Sequence, residues 1–324
     1  MSSVPFPLSL SQNIGIFGYI CTFTLGLIGH ACSLLTFSQR QLRSVSTSLL
    51  FLIITISDIL FLLMSLYDFL LINLGIPQLS PYYIPLCRFR TFILNFTQTT
   101  SAWLLVCTGI DRLIRARLPH QTKRWCTRKN VIIVSVIIIL FSIAFNSHVL
   151  QQSFGVAFPF TRIICGTLQI TKSEYSTFYY ITWPPLQIGV NILIPALLMV
   201  ICILGIYQQI RSTGHVRRNQ SLQNQMILLM FTKIILFLIC TLPYGIYRMA
   251  TISSVDPNKA LAYSIFMFIT AILTILLNAN YSLTFYLNCL TSTLFRQTLI
   301  KTIKQYILHR NVVQPFVNSA ATIP

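Results

Sequence analysis

The sequence predicts an all-α fold, a bundle of seven membrane-spanning helices with a short amphipathic helix after the seventh. Three observations predict it. Of 324 residues, 55% are hydrophobic and only 9% charged, with a mean hydropathy of +0.73, whereas a soluble domain carries near a quarter charged residues. Apolar runs of spanning length recur at 14–37, 48–72, 91–110, 130–150, 178–207, 226–247 and 260–287. The basic residues also segregate. If the N-terminus lies outside, the inner loops and the C-terminal tail hold most of the 23 Lys and Arg residues, with Lys233 low in span six, and only Arg88, Arg90, Arg162, Lys172, Arg248 and Lys259 lie on the other side. A multi-pass membrane protein with its N-terminus outside is expected. The net charge of +18 is then a signal of topology. Nucleic acid is not an expected partner, because no soluble basic domain is there to host it.

Taken in order, residues 1–13 form a short outer tail, 14–290 the seven-span domain, and 291–324 the amphipathic helix and cytoplasmic tail. Met1 to Gln12 lacks a basic start before a short apolar core, so span one is expected to be its own anchor. Gly29-His30 in that span suits close helix packing, with His30 bonded to a neighbour. Span two carries Asp58. A carboxylate at mid-membrane costs about 2.5 kcal/mol or more, so it faces the interior or a watery cavity. The plainer reading is a packing residue bonded across the bundle.

Span three organises the rest. From Cys87 to Arg112 is 25 steps, roughly 37 Å of helix, against a hydrocarbon core about 30 Å thick. Its middle, Asn95 to Ser101, is rich in hydroxyls and amides, a surface unfavourable against lipid. This helix belongs at the centre. Of nine cysteines, only Cys87 and Cys165, in the outer loop 151–177, face the oxidising side, which makes them the natural disulfide pair. Pro195 in span five and Pro243 in span six each remove a backbone hydrogen bond and kink a helix. The Pro243 kink is either a lever for the inner end of span six or a static aid to packing. Gln208 to Gln225 reads as a compact inner loop. Beyond span seven, Phe295, Leu299, Ile300, Ile303 and Ile307 form an apolar stripe opposite Arg296, Lys301 and Lys304, a helix for the membrane surface. Three N-x-S/T matches, at Asn95, Asn219 and Asn280, fall in spans or in the inner loop, so no N-glycan is expected.

Seven spans, a cysteine heading span three, Asp111-Arg112 ending it and a cysteine in the next outer loop resemble the rhodopsin-like G-protein-coupled receptors. Further matches are Asp58, Pro195, Phe237, Cys240-Thr241-Leu242-Pro243 and Leu294-Phe295-Arg296. The resemblance implies a receptor of the plasma membrane that binds an extracellular ligand and activates a heterotrimeric G protein, with Asp111 and Arg112 as the coupling residues. It implies a ligand pocket of Leu94, Asn95, Gln98, Gln187, Asn191, Tyr244, Tyr247 and Arg248, and a switch of Pro195, Phe237, Thr241 and Pro243. It implies a sodium ion on Asp58, Ser101 and Asn280, and no other cofactor. Leu94 stands where amine receptors carry an aspartate, and Asn278 where opsins carry the retinal-linking lysine. Neither a monoamine nor retinal is therefore expected, and the amide-rich, aromatic chemistry suits a peptide best.

Several positions depart from the family pattern. Leu113 replaces a tyrosine and Thr241 a tryptophan, and span seven reads Thr284-Phe285-Tyr286-Leu287-Asn288 where a proline and a final tyrosine are usual. A scaffold or decoy that binds ligand without coupling is therefore the alternative reading. A transporter would show repeated half-topologies, and an enzyme a catalytic constellation such as H-E-x-x-H. The sequence shows neither, and no enzymatic activity is expected.

Overall fold

The computed structural model describes residues 6–39, 46–73, 83–155, 174–212, 217–251 and 260–313. Its long helices are α1 (Phe6–Phe37), α2 (Ser46–Asn73), α3 (Tyr83–Arg117), α4 (Arg128–Asn146), α5 (Ile194–Ser212), α6 (Arg217–Thr251) and α7 (Ala260–Ser282), followed by α8 (Thr284–Thr291) and α9 (Thr293–Val313). The described residues contain no strand. Six of the spans are apolar enough to cross a membrane on composition alone, and α3 is not among them. The reason is its polar middle. The helix is nonetheless long enough at 35 residues, and it packs against α2, α4 and α5 while α1 and α6 close the ring onto α7. A helix sheltered on that many sides does not need a lipid-compatible surface.

The bundle has its polar groups inside. Thr97, Thr99, Asn146 and Asn278 are fully buried, while Ile137, Leu140 and Leu197 are about 60% exposed, as a lipid-facing surface requires. Close approach is purchased with small residues on α1. A Cβ on Gly26 would lie 2.5 Å from Leu62 Cδ1, and one on Gly29 3.0 Å from Phe285 Cβ. The Gly29 expectation thus holds, and the neighbouring His30 is buried with a hydrogen bond to the backbone of Tyr281.

Three expectations about helix shape change. Span five is not one α-helix. Residues Glu174–Ser212 are helical throughout but include two π-helical segments, Phe178–Thr182 and Gly189–Leu193, the second ending just before Pro195. The compact inner loop is shorter than read, since α5 runs to Ser212 and α6 starts at Arg217. The polar residues there prolong the helices beyond the apolar spans. The stripe on α9 divides. Phe295 packs on Phe37 and Phe285, at 5.2 and 5.8 Å between ring centroids, and Leu299 joins the same cluster. Thr298 and Thr302 are buried beside them, whereas Ile300 and Ile303 are exposed. The docked face is Phe295-Thr298-Leu299-Thr302, the i, i+3, i+4, i+7 set of one helix side. Ile300 and Ile303 remain for the membrane.

Candidate functional site

The end of the bundle that carries Cys87 holds a cavity with two lobes. In one, of about 510 Å³, Gln98 meets Gln187 and Asn191 of span five and Thr241, Tyr244 and Arg248 of α6, with Phe237 deepest. In the other, of about 750 Å³, Leu94, Asn95 and Gln98 face Ser65, Asn278, Tyr179, Arg90 and Arg248. Gln98, Tyr244, Arg248 and Leu277 are common to both. The structure thus brings together every residue named for the pocket except Tyr247. That side chain turns toward α7, where its ring stacks on Phe266 at 6.1 Å and its hydroxyl donates to the Phe266 carbonyl at 3.5 Å.

Amides hold the wall between α3 and span five. Gln187 Nε2 donates to Asn95 Oδ1 at 3.0 Å, Thr99 Oγ1 to Asn191 Oδ1 at 3.0 Å, and Asn146 Nδ2 to Thr99 Oγ1 at 3.1 Å. The π turn at 189–193 lies here, in keeping with the frequency of such turns at functional sites. On the facing side Ser65 Oγ donates to Asn278 Oδ1 at 2.8 Å. Arg248 donates to the Tyr179 hydroxyl at 3.2 Å. Arg90 lines the same lobe, and no carboxylate does among the described residues. The sequence reading missed Arg90 and Tyr179.

Below this cavity Thr241 Oγ1 donates to the Phe237 carbonyl, a local bond within the helix that carries Pro243. Phe237 packs with Ala102, Val106, Ile192, Met199 and Ile234. Deeper still is a chamber of about 400 Å³ lined by Asp58, Ser101, Asn280, Thr284 and Lys233. Ser101 Oγ lies 2.8 Å from Asp58 Oδ1 and 3.0 Å from Ser57 Oγ. Asp58 and Lys233 are 2% and 8% exposed. The helix is interrupted beside this chamber at Leu283 (φ −86°, ψ −5°), without a proline. Ser282 and Thr284 there donate back to the carbonyls of Asn278 and Asn280, a pattern that bends helices.

Residues 31–307 match the pattern of the seven-transmembrane receptors of the rhodopsin family. The chain belongs to that family. Among its relatives, chemerin-like receptor 2 of Mus musculus is 25% identical over 250 residues, 76% of this chain and 67% of that protein. An FMRFamide receptor of Drosophila melanogaster is 24% identical over 213 residues, 61% and 37% of the two chains. An FMRFamide peptide receptor of Caenorhabditis elegans is 25% identical over 134 residues, 39% and 31%. The chain spans 62% of the length of human chemerin-like receptor 2.

At the other end of this rhodopsin-family receptor, Asp111 and Arg112 close α3. Asp111 accepts from Thr47 Oγ1 and forms an ion pair with Arg115 one turn on, Nε to Oδ2 at 2.9 Å. Asp111 was expected as a coupling residue together with Arg112, and neither Thr47 nor Arg115 was expected beside it. The i, i+4 spacing of Asp111 and Arg115 was the available signal. Arg112 lines a chamber of about 370 Å³ with Thr108, Met230 and Lys233. At the head of α3, Cys87 is disulfide-bonded and 2% exposed, and the expected partner Cys165 lies outside the described residues. Arg88 fastens the same end, donating to the carbonyls of Phe154 and Gln152, both at 2.7 Å.

Proposed function

We propose that this receptor binds an extracellular peptide in the two-lobed cavity and activates a heterotrimeric G protein from its inner face, with the N-terminus outside. The observation that carries the ligand reading is the lining itself. Amides of α3 and span five form one wall, Tyr244 the divide, and the guanidinium of Arg248 reaches both lobes. Amide walls suit a peptide backbone, which carries one donor and one acceptor per residue. A guanidinium flanked by the hydroxyls of Tyr179 and Tyr244, with no carboxylate lining its lobe among the described residues, suits a carboxylate in bidentate contact. The ligand class is then a peptide with an acidic side chain or a free C-terminus, and relatives named as FMRFamide receptors support the peptide class.

The test is a peptide library applied to cells expressing the receptor, read by nucleotide exchange on a panel of G proteins. Hits are expected to weaken when their carboxylates are amidated and when Arg248→Ala is introduced. Hits confined to uncharged non-peptides would overturn the reading. A scaffold that binds without coupling is the second reading, favoured by Phe285 and Asn288, which are buried where the family carries a proline and a tyrosine. It predicts binding with no exchange on any G protein.

A further inference from the structure

The family resemblance implies a sodium ion at Asp58, yet the chamber around Asp58 already holds a cation. Lys233 lines it from α6, and its Nζ is buried without a hydrogen-bond partner among the described residues, resting 4.2 Å from the centroid of the Phe51 ring. A buried ammonium with neither acceptor nor counter-charge is very unfavourable. Its surroundings offer one remedy. Of the five acidic residues in the chain, Asp58 is the carboxylate that lines this chamber, and the two side chains interact electrostatically. Asp111 is engaged elsewhere by Thr47 and Arg115. On the inner side Lys233 shares a second chamber with Arg112, whose like charge repels it. Attraction on one side and repulsion on the other direct the flexible stem toward Asp58.

We propose that Lys233 is the tethered counter-ion of Asp58 and takes the place of the sodium ion. The residues present do not fit a free cation well, because one that entered would meet the ammonium. The tether has a mechanical meaning. A diffusing ion would be held by α2, α3 and α7, whereas Lys233 belongs to α6, so the charge interaction joins α6 to α2. It does not depend on which ligand the outer cavity takes.

The test uses the full-length receptor purified in detergent, with sodium alone as the probe. Its melting temperature is measured in sodium chloride and in choline chloride at equal ionic strength. Wild type is expected to melt at the same temperature in both. Asp58→Asn and Lys233→Met should each lower it, and the double variant should melt closer to wild type than either single one. Lys233→Met, with Asp58 freed, should gain stabilisation by sodium. Sodium stabilisation of wild type that Asp58→Asn removes would overturn the proposal, as would additive effects in the double variant. If Lys233→Met does not fold, Lys233→Arg decides, since it keeps the charge and should stay indifferent to sodium. A sodium response in that variant counts against the proposal.

Discussion

Asp58 and Asp111 are both buried aspartates, one in the middle of the bundle and the other at the inner end of α3. Their surroundings differ in kind. Asp111 accepts from a hydroxyl on α2 and from a guanidinium one turn along its own helix. Asp58 has the Ser101 hydroxyl at 2.8 Å and a lysine that shares its chamber without a hydrogen bond. The inner aspartate has its counter-charge in direct contact, and the middle one has its counter-charge across a gap. Burial is therefore a poor guide to what a charge does. A charge with short, directed partners fixes a geometry. One balanced across a gap leaves the geometry adjustable, and here the adjustable one lies between the cavity and the inner face.

The sharpest way to break this comparison is at the inner end, where two arginines differ by one turn. Arg112→Ala is expected to abolish nucleotide exchange while surface expression persists. Arg115→Ala should retain most exchange, because its guanidinium already serves Asp111. Equal losses in both variants would show that the locked pair is itself part of the coupling surface.

Stability separates the two sites next. Asp111→Ala strands the Thr47 hydroxyl and the Arg115 guanidinium. Loss of a fully buried partner costs about 3–5 kcal/mol, but the Arg115 side chain is 29% exposed and can turn to water, so about 2 kcal/mol is expected. Thr47→Val removes one hydrogen bond to a charged group and should cost about 1.5 kcal/mol. Thermal unfolding of purified receptor orders these effects.

The smallest effect is chemical. Burial, then the nearby charge of Asp111, push the Cys126 thiol up to about 11. The thiolate is the reactive form, so Cys126 should alkylate slowly at neutral pH and faster as pH rises. Asp111→Asn removes the like charge and should speed that reaction severalfold, measured by maleimide labelling with the other cysteines as internal standards.

Much of this was legible in the sequence. Amides and hydroxyls from Asn95 to Ser101 are intolerable against lipid, and that alone placed α3 at the centre. Tyr247 was misplaced for a geometric reason. At about 100° per residue, Arg248 falls some 40° from Tyr244 on one side and Tyr247 some 60° on the other, so sequence alone does not say which neighbour faces the cavity. Lys233 was counted among the basic residues low in span six and given no partner, though one was readable. It continues the inward set Phe237, Thr241, Tyr244 and Arg248 at helical spacing, and a lysine inside a span is costly enough to demand a partner. The π turns of span five left no clear mark. Their residues are mainly aromatic and β-branched, with Gly189 and Asn191 in the second, a mixture also found in regular α-helices, and the second turn lies where Gln187 and Asn191 bond Asn95 and Thr99.

The interruption at Leu283 carries a consequence of its own. A proline bend is written into the covalent chain and cannot be erased. Here Leu283 still donates to Ala279 at 3.0 Å, and Leu287 donates to Leu283 at 3.1 Å. The joint between α7 and α8 therefore rests on the choice of two hydroxyls, on Ser282 and Thr284, to bond carbonyls of the preceding turn. Such bonds are worth about 1 kcal/mol each, so the two together favour the bent form by about 2 kcal/mol. Span seven is bent here by two side-chain hydroxyls and not by a proline, so each hydroxyl is a point at which a single substitution acts on the bend.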